Sequence, residues 1–587
     1  MNLRSTPATK PSRVLRSRNA VIWILLTAVA GSACTLGGTG RAAEKAATTE
    51  ARHGMVVSVS PQASDAGLAV LERGGNAVDA AVAVALSLAV TFPEAGNIGG
   101  GGFMMVWPAS GGQPVCIDYR ETAPAAAARD TFVADKNQFS HKTVGVPGTL
   151  RGLELAHKRF GKLAWKDLVE PAVALAADGF TMDTAVAQGL NRELRRKRVN
   201  AEFARVYTQS GGEKWQPGDR LVQPDLAKTL RAIATGGADA FYRGPIAEQI
   251  VAEMQAGGGL IAATDLQGYE AKVRTPIHGT FRGYDIFGPP PPSSGGTCLV
   301  EMLNILENFD LKAQGRWSPE TTHLVIEAMR RAYCDRARYS GDADFCEIPK
   351  HLVSKEYARK RAAGIDRKHA TKSEALAPEI ALSDEGASTT HFSIVDSAGM
   401  AVANTYTLQD SFGTGIVVRG GGFILNNEMT DFNWRPGHTD RTGAIGTEAN
   451  TIAPGKRMLS SMSPTLVAKD GKLVLVTGSP GGRTIPNTVL SVLLGVLEFD
   501  LDVREAVDAP RLHHQWLPDR VSIERASGQG ARDPRVETLI SQLREMGHDI
   551  AEKPKKQGDA HTIGLKEGML RGAADLRRSD KAKAAGY

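Results

Sequence analysis

Apolar and polar positions change rhythm along the chain, and the changes divide it into regions. MVVSVS, from residue 55, reads as a strand, and two runs of helical period follow, Pro61–Arg73 and Asn76–Ala89. Gly74-Gly75 separates them, as expected where a helix ends in a left-handed residue. A glycine-rich stretch, Gly96 to Gly102, leads into a strand at Phe103–Trp107, and a second strand, Val115–Tyr119, stops at Arg120. Residues 147–345 read mostly as amphipathic helices, for example Trp165–Asp178 and Pro319–Ser340. Pro289–Pro292 followed by Ser293-Ser294-Gly295-Gly296 interrupts them, because proline lacks the donor that a helix or central strand needs. After a polar stretch over 346–388, the period becomes two from Thr389. His391–Asp396 and Met400–Thr405 flank Ser397-Ala398-Gly399, and Ser463–Ala468 and Lys472–Thr477 flank Asp470-Gly471; both patterns are hairpins. Residues 484–499 return to helix. No repeat of 20–50 residues is visible, so the pattern points to stacked sheets covered by helices.

The first 33 residues break this picture. They carry Arg4, Lys10, Arg13, Arg16 and Arg18 and no acid, followed by the apolar run Ala20–Ala30. That run is too short to span a bilayer, which takes about 20 residues, and matches an export signal. Gly31-Ser32-Ala33-Cys34 resembles a lipoprotein box with Cys34 as the lipidated residue; a small-residue cut near Ala42-Ala43 is the other exit. The expectation is an exported protein, periplasmic or extracellular. It also changes the charge argument. Seventy Lys and Arg against 64 acids leave +6, but five of those charges sit in the leader, so the mature chain is close to neutral and gives no electrostatic case for a nucleic-acid partner.

The remaining chemistry is sparse. Of the cysteines, Cys34, Cys116, Cys298, Cys334 and Cys346, none forms C-x-x-C; Cys334 and Cys346 are close enough in sequence to pair, and buried free thiols are the alternative. Gly99–Gly102 lacks the context of a phosphate cradle, so close backbone approach is the simpler reading. There is no G-x-S-x-G and no H-E-x-x-H, and His513-His514 reads as a packed surface. Nothing calls for a cofactor or metal. Two features remain. Gly481-Gly482 follows a strand and can turn two backbone N–H groups toward a ligand oxygen. Ser388-Thr389-Thr390-His391 stands where the helical half meets the strand-rich half. A threonine hydroxyl becomes a nucleophile when a base is adjacent, and an N-terminal threonine carries its own in the α-amine.

These features sit among nine motifs: PEAGNIGGGGFM (93–104), DYRETAP (118–124), PPPPSSGG (289–296), STTHFSIVD (388–396), TYTLQDSFGTG (405–415), LNNEMTDF (425–432), LSSMSPT (459–465), GSPGG (478–482) and APRLHHQWLPD (509–519). In this order they resemble the γ-glutamyltranspeptidases, members of the N-terminal-nucleophile hydrolase superfamily, from about residue 53 to 565. The resemblance implies an α+β fold, a four-layer αββα sandwich. It implies a precursor that cuts itself between Ser388 and Thr389, giving a large chain (34–388) and a small chain (389–587) that stay associated as a heterodimer. Thr389 would be the nucleophile, Thr407 its orienting partner, and Gly481 and Gly482 the oxyanion hole. Arg120, Ser460 and Ser461 would hold the α-carboxylate of a γ-glutamyl group, and Glu428 and Asp431 its α-ammonium. The acyl group, from glutathione or a similar donor, would pass to water or to an amino-acid or peptide amine.

Two positions depart from the family pattern. Gln409 stands where an Asn that helps hold the α-ammonium is usual, and Thr442 aligns with an aromatic of the lid loop, within 437–450. Both leave room for a same-fold amidase, of the cephalosporin-acylase or poly-γ-glutamate depolymerase type. An inactive binding lipoprotein is the non-enzymatic alternative, which an intact Thr389, Thr407 and Gly481-Gly482 set argues against.

Overall fold

The computed structural model of the chain describes residues 48–109, 111–135, 137–196, 198–378, 389–441, 445–525, 534–552 and 556–587. The leader, Cys34, Ser388 and Thr442 lie outside them.

Two seven-stranded sheets form the centre. Across the first the order is Lys583–Gly586, Met55–Ser58, Thr390–Val395, Ala401–Thr407, Gly101–Trp107, Val115–Tyr119, Lys272–Arg274. Across the second it is Thr49–Ala51, Met569–Ala573, Thr562–Lys566, Lys472–Thr477, Thr465–Lys469, Tyr284–Gly288, Ile277–Phe281. Neighbouring strands are antiparallel throughout.

Side chains alternate across a strand, and here both faces are apolar. Val57, Met105, Val395 and Ala403 of the first sheet meet Phe287, Leu466, Val476 and Ile563 of the second in one buried layer. Their neighbours Val56, Met104, Ile394 and Val402 point the other way, under the helices Ala77–Thr91, Thr149–Phe160 and Trp165–Asp178. Val467 and Leu475 likewise face Gly295–Leu306, Pro319–Tyr339 and Ile485–Leu493. The result is the expected four-layer αββα sandwich.

Several boundaries differ from the pattern reading, for local reasons. Asn76 caps its helix instead of joining it: its side chain accepts from the Val78 and Asp79 amides, and Asp79 accepts from the Asn76 N–H. The stretch 272–288, read as part of a helical region, forms three strands. Its hairpin turns on Arg282-Gly283, both with positive φ (50° and 81°), an arginine doing what asparagine usually does. At Asp470-Gly471 the same backbone appears with the expected residues (51° and 73°). The helix from Ile485 ends at Leu493 and widens into a π turn, Leu494–Glu498. Cys116, Cys298, Cys334 and Cys346 are free thiols, so Cys334 and Cys346 do not pair.

The glycine run has a packing explanation. A Cβ on Gly99 would sit 2.2 Å from the Ile424 carbonyl oxygen, on Gly100 2.0 Å from that of Thr407, on Gly101 2.4 Å from that of Tyr119, and on Gly102 2.4 Å from that of Thr405. Backbones converge there too closely for any side chain. Gly100→Ala must push the Thr407 backbone, so it is expected to cost about 1–3 kcal/mol, as overpacking does. A lower thermal midpoint than the parent's is the check; an unchanged midpoint would show that the contact relaxes freely.

Candidate active site

Thr389 immediately precedes the strand Thr390–Val395, in the interior of the first sheet. Thr390 pairs with Tyr406, so one more step of the register sets Thr389 opposite Thr407, the last residue of Ala401–Thr407. Both threonines are buried, and both line a cavity of about 360 Å³ together with Arg120, Gln409, Asp431, Ser460, Ser461 and Gly482. Arg578 donates to the Thr389 carbonyl at 3.1 Å, and Thr407 Oγ1 accepts the Gln409 amide at 2.7 Å.

The glycine turn closes one side. Gly481 (φ 135°) and Gly482 (φ 57°) both adopt backbone conformations that favour glycine, and a Cβ on Gly481 would come 2.4 Å from Thr484 Oγ1. Thr484 donates through its amide (3.1 Å) and its hydroxyl (2.9 Å) to the Gly481 carbonyl, fixing the peptide planes. Gly482 lines the cavity, while Gly481, its neighbour in the turn, is not among the lining residues. His391 supports this turn from below. A Cβ on Gly478 would meet its ring at 2.3 Å. Burial, with His561 nearby, holds the His391 imidazole well below its usual pKa, so it is a neutral link between Thr405 Oγ1 (2.8 Å) and Ser393 Oγ (3.1 Å).

On the opposite side a charged cluster forms. Arg120 is fully buried, with Nη1 2.6 Å from Glu428 Oε2 and 3.4 Å from Glu121 Oε2, and Nη2 2.5 Å from Asp431 Oδ2. Nε donates to the Met458 carbonyl and Nη2 also to that of Leu459, both at 3.3 Å. Four hydrogen bonds thus leave the guanidinium within the protein, and Nη1 also faces the Glu428 carboxyl as an ion pair. Burial alone would lower the Arg120 pKa, but Glu428, Glu121 and Asp431 outweigh it and hold the group charged. Gln409 reaches across to Asp431 Oδ1 at 2.7 Å, from a backbone with φ 79°. The extra methylene relative to Asn is therefore accommodated by a carboxylate contact. Glu428 does not line the cavity; its carboxylate sits behind Arg120 as a counter-charge.

Ser460 and Ser461 approach from the proline turn. The Ser460 amide donates to the Pro292 carbonyl (2.9 Å), and the Ser460 carbonyl accepts from the Ser294 amide (2.9 Å) and hydroxyl (2.7 Å). A Cβ on Gly295 would meet the Met462 carbonyl oxygen at 2.1 Å, which accounts for a glycine there. Three cavity residues escaped sequence reasoning because their contacts form only in the folded chain. Asn450 ties the Asp431 carbonyl (2.6 Å) to the Leu459 amide (2.9 Å). Trp434 stacks on Phe132 at 4.3 Å. Arg336, within the helix Pro319–Tyr339, touches Ser294 and Ser461.

His323, Glu327 and His548 are the one compact group of metal-ligating type among the described residues. Its donors are already used: His323 Nδ1 and His548 Nε2 share a hydrogen bond of 2.8 Å, and Glu327 is paired with Arg330 and Arg331. A cation would meet two guanidinium groups there. His513 and His514 are both buried, with pKa values pushed down to about 4 by desolvation, and Asn487 donates to His513 Nδ1 at 2.7 Å.

A four-layer sandwich whose inner sheet presents a threonine to a cavity carrying both charge signs is the architecture of an N-terminal-nucleophile hydrolase. The Gamma-glutamyltranspeptidase family model matches residues 63–585, and the chain belongs to that family. It is 45% identical over 546 residues to the glutathione hydrolase proenzyme of Escherichia coli (strain K12), covering 92% of each chain. Among solved structures it resembles the cephalosporin acylase of Bacillus halodurans (TM-score 0.80, 26% identity, 93% of this chain and 97% of that one). It also resembles the γ-glutamyltranspeptidase of Helicobacter pylori (TM-score 0.54, 41% identity, 56% of this chain and 97% of that one).

Glu121 gives the cluster a pH signature. Burial raises its carboxyl pKa to about 7, against the opposing pull of Arg120. The folded state then holds a proton that the unfolded state releases above about 4.5, so this group's contribution to stability is complete below 4.5 and is lost as pH rises through about 7. Glu121→Gln should show a shallower fall in melting temperature than the parent between those values; parallel curves would contradict the assignment.

Proposed function

We propose that the chain is an autoprocessed γ-glutamyltransferase and glutathione hydrolase. The observation that carries this reading is the convergence of Thr389, Thr407 and Gly482 with Arg120, Asp431, Ser460 and Ser461 on one cavity. In the precursor, the Thr389 hydroxyl attacks the Ser388 carbonyl, and hydrolysis of the resulting ester frees Thr389 as an N-terminus. In turnover, Thr389 Oγ1 attacks the γ-glutamyl carbonyl carbon while the α-amine takes the hydroxyl proton. The Gly481 and Gly482 N–H groups receive the developing oxyanion, each contributing on the order of 3 kcal/mol. Collapse expels the leaving amine, which takes the proton from the α-ammonium. The acyl-threonine ester is then resolved by water or by an acceptor amine, with the α-amine again the base.

The substrate's own charges fit the walls. Ser460 and Ser461, with Arg120, suit an α-carboxylate; Asp431, assisted by Gln409, suits an α-ammonium. Glu428 contributes as the counter-charge to Arg120. A glutaryl acyl group has no ammonium, so the Asp431 side favours a γ-glutamyl group over it. We further propose that residues 1–33 direct export, with the large chain (34–388) and small chain (389–587) remaining paired as a heterodimer in the periplasm or outside the cell, Cys34 being available for a lipid. No helix among the described residues is long and apolar enough to cross a membrane.

Purified protein should resolve on a denaturing gel into bands of about 38 and 21 kDa, scaling 62.5 kDa by residue count. Thr389→Ala should remain uncut and inactive. A single uncut band for the parent, with no release from a γ-glutamyl anilide, would end this reading; faster release from a glutaryl anilide would favour the acylase alternative. The pH profile of kcat/KM should lose activity on the acid side with a midpoint near the α-amine range of about 7.7–8.0.

A further inference from the structure

The helix Ile485–Leu493 starts directly behind the glycine turn, with Gly482–Thr484 forming a short helical turn between them. Whatever holds the start of this helix therefore also holds the Gly481 and Gly482 N–H groups. Two side chains do so without lining the cavity. The Tyr333 hydroxyl donates to the Arg483 carbonyl. Asn487 donates through Nδ2 to His513 Nδ1 at 2.7 Å and to the His514 carbonyl at 2.9 Å. Asn487 is fully buried and its Oδ1 takes no donor among the described residues, so the amide is held by its Nδ2 end alone.

An amide N–H can bond a histidine ring only at a nitrogen that carries no proton. Asn487 meets Nδ1 of His513, so the His513 proton sits on Nε2, where Gln515 Oε1 accepts it at 2.9 Å. His514 is fixed in the same tautomer. Its Nδ1 accepts the Trp516 amide at 3.1 Å, and its Nε2 donates to Asp519 Oδ1 at 3.2 Å. Asp519 in turn pairs with Arg330 and accepts the Ser373 amide at 2.9 Å, while Trp516 Nε1 donates to the Ser373 carbonyl at 2.8 Å. A line of bonds thus runs from Arg330 and Ser373, through Asp519 and His514, to Asn487 and the glycine turn. Arg330, Ser373, His514, Trp516 and Asn487 are all buried, so water does not compete for these bonds.

We propose that Asn487 and His513 are positioning residues for the oxyanion turn, the near end of a strut that keeps its two glycine N–H groups aimed at the transition state. Neither residue touches substrate; both act through the turn. Donors fixed before the reaction need no reorganisation during it, and that advantage is lost when the turn loosens. This deepens the γ-glutamyl reading above and rests on it.

An interaction made only in the transition state lowers kcat and kcat/KM together when it is removed. In processed enzyme, Asn487→Leu should lower kcat on a γ-glutamyl anilide about 10- to 100-fold, with KM within about threefold. It should weaken by a similar factor a boronic-acid analogue of the γ-glutamyl group, whose tetrahedral adduct with Thr389 presents an oxygen to the same N–H groups. Inhibition by free glutamate, which forms no such adduct, should not change. His513→Leu should lose about 3- to 10-fold in kcat. His513→Asn, which keeps an acceptor near the Nδ1 position, should recover most of that loss. Parent-like kcat and boronate affinity in Asn487→Leu, or equal weakening of boronate and glutamate, would overturn the proposal. Should Asn487→Leu not process itself, the two His513 variants decide, and equal kcat in both would overturn it. A parent enzyme inactive on the γ-glutamyl anilide would instead indict the broader reading, so the two failures are distinguishable.

Discussion

Everything in this molecule depends on the strand that begins beside Thr389 lying inside a sheet, not on its edge. Thr390–Val395 pairs on one side with Ala401–Thr407 and on the other with Met55–Ser58, and both of its faces are covered. A chain end is normally the first part of a protein to fray. A nucleophile created at a chain end needs the opposite, and six residues of ladder on one flank with three on the other supply it. The same register that holds the strand places Thr407 across from Thr389 and brings the Gly99–Gly102 crossing behind them. Catalytic geometry here is a consequence of sheet pairing.

Around that strand the electrostatics divide. On one side a fully buried arginine is shared among three carboxylates, one of them, Asp431, open to the cavity. Charges removed from water need partners in close geometry, and the hub meets this with three acidic side chains and two backbone carbonyls around one guanidinium. On the other side Arg336 carries positive charge without a carboxylate partner among the described residues. The cavity wall therefore carries both charge signs, with Asp431 on one side and Arg336 on the other.

Much of the architecture was legible in the residues. Period-two patterns located the two hairpins from Thr389 onward, within one or two residues of their observed ends. The misread stretch, 272–288, is instructive. Its strands are short and half-exposed, and its turn uses Arg282-Gly283, so neither alternation nor turn residues advertised a hairpin. Among site residues, the motifs named Thr389, Thr407, Gly481-Gly482, Arg120 and the serine pair. Asn450, Trp434 and Arg336 went unnoticed, and His391 was read only as part of the threonine junction and its strand, since the contacts through which they act form only in the folded chain.

By itself, the sequence determined the layer order, the position of the threonine junction and the places where only glycine fits, because these follow from alternation, turn chemistry and backbone sterics acting over a few residues. Only the tertiary structure decided which charged group faces which. Arg120 and Asp431 are 311 residues apart, and Arg336 and Ser461 are 125 apart. Whether an arginine is spent on its own protein or left for a ligand depends on desolvation and on neighbours delivered by distant segments, and neither quantity exists until the sheets have packed.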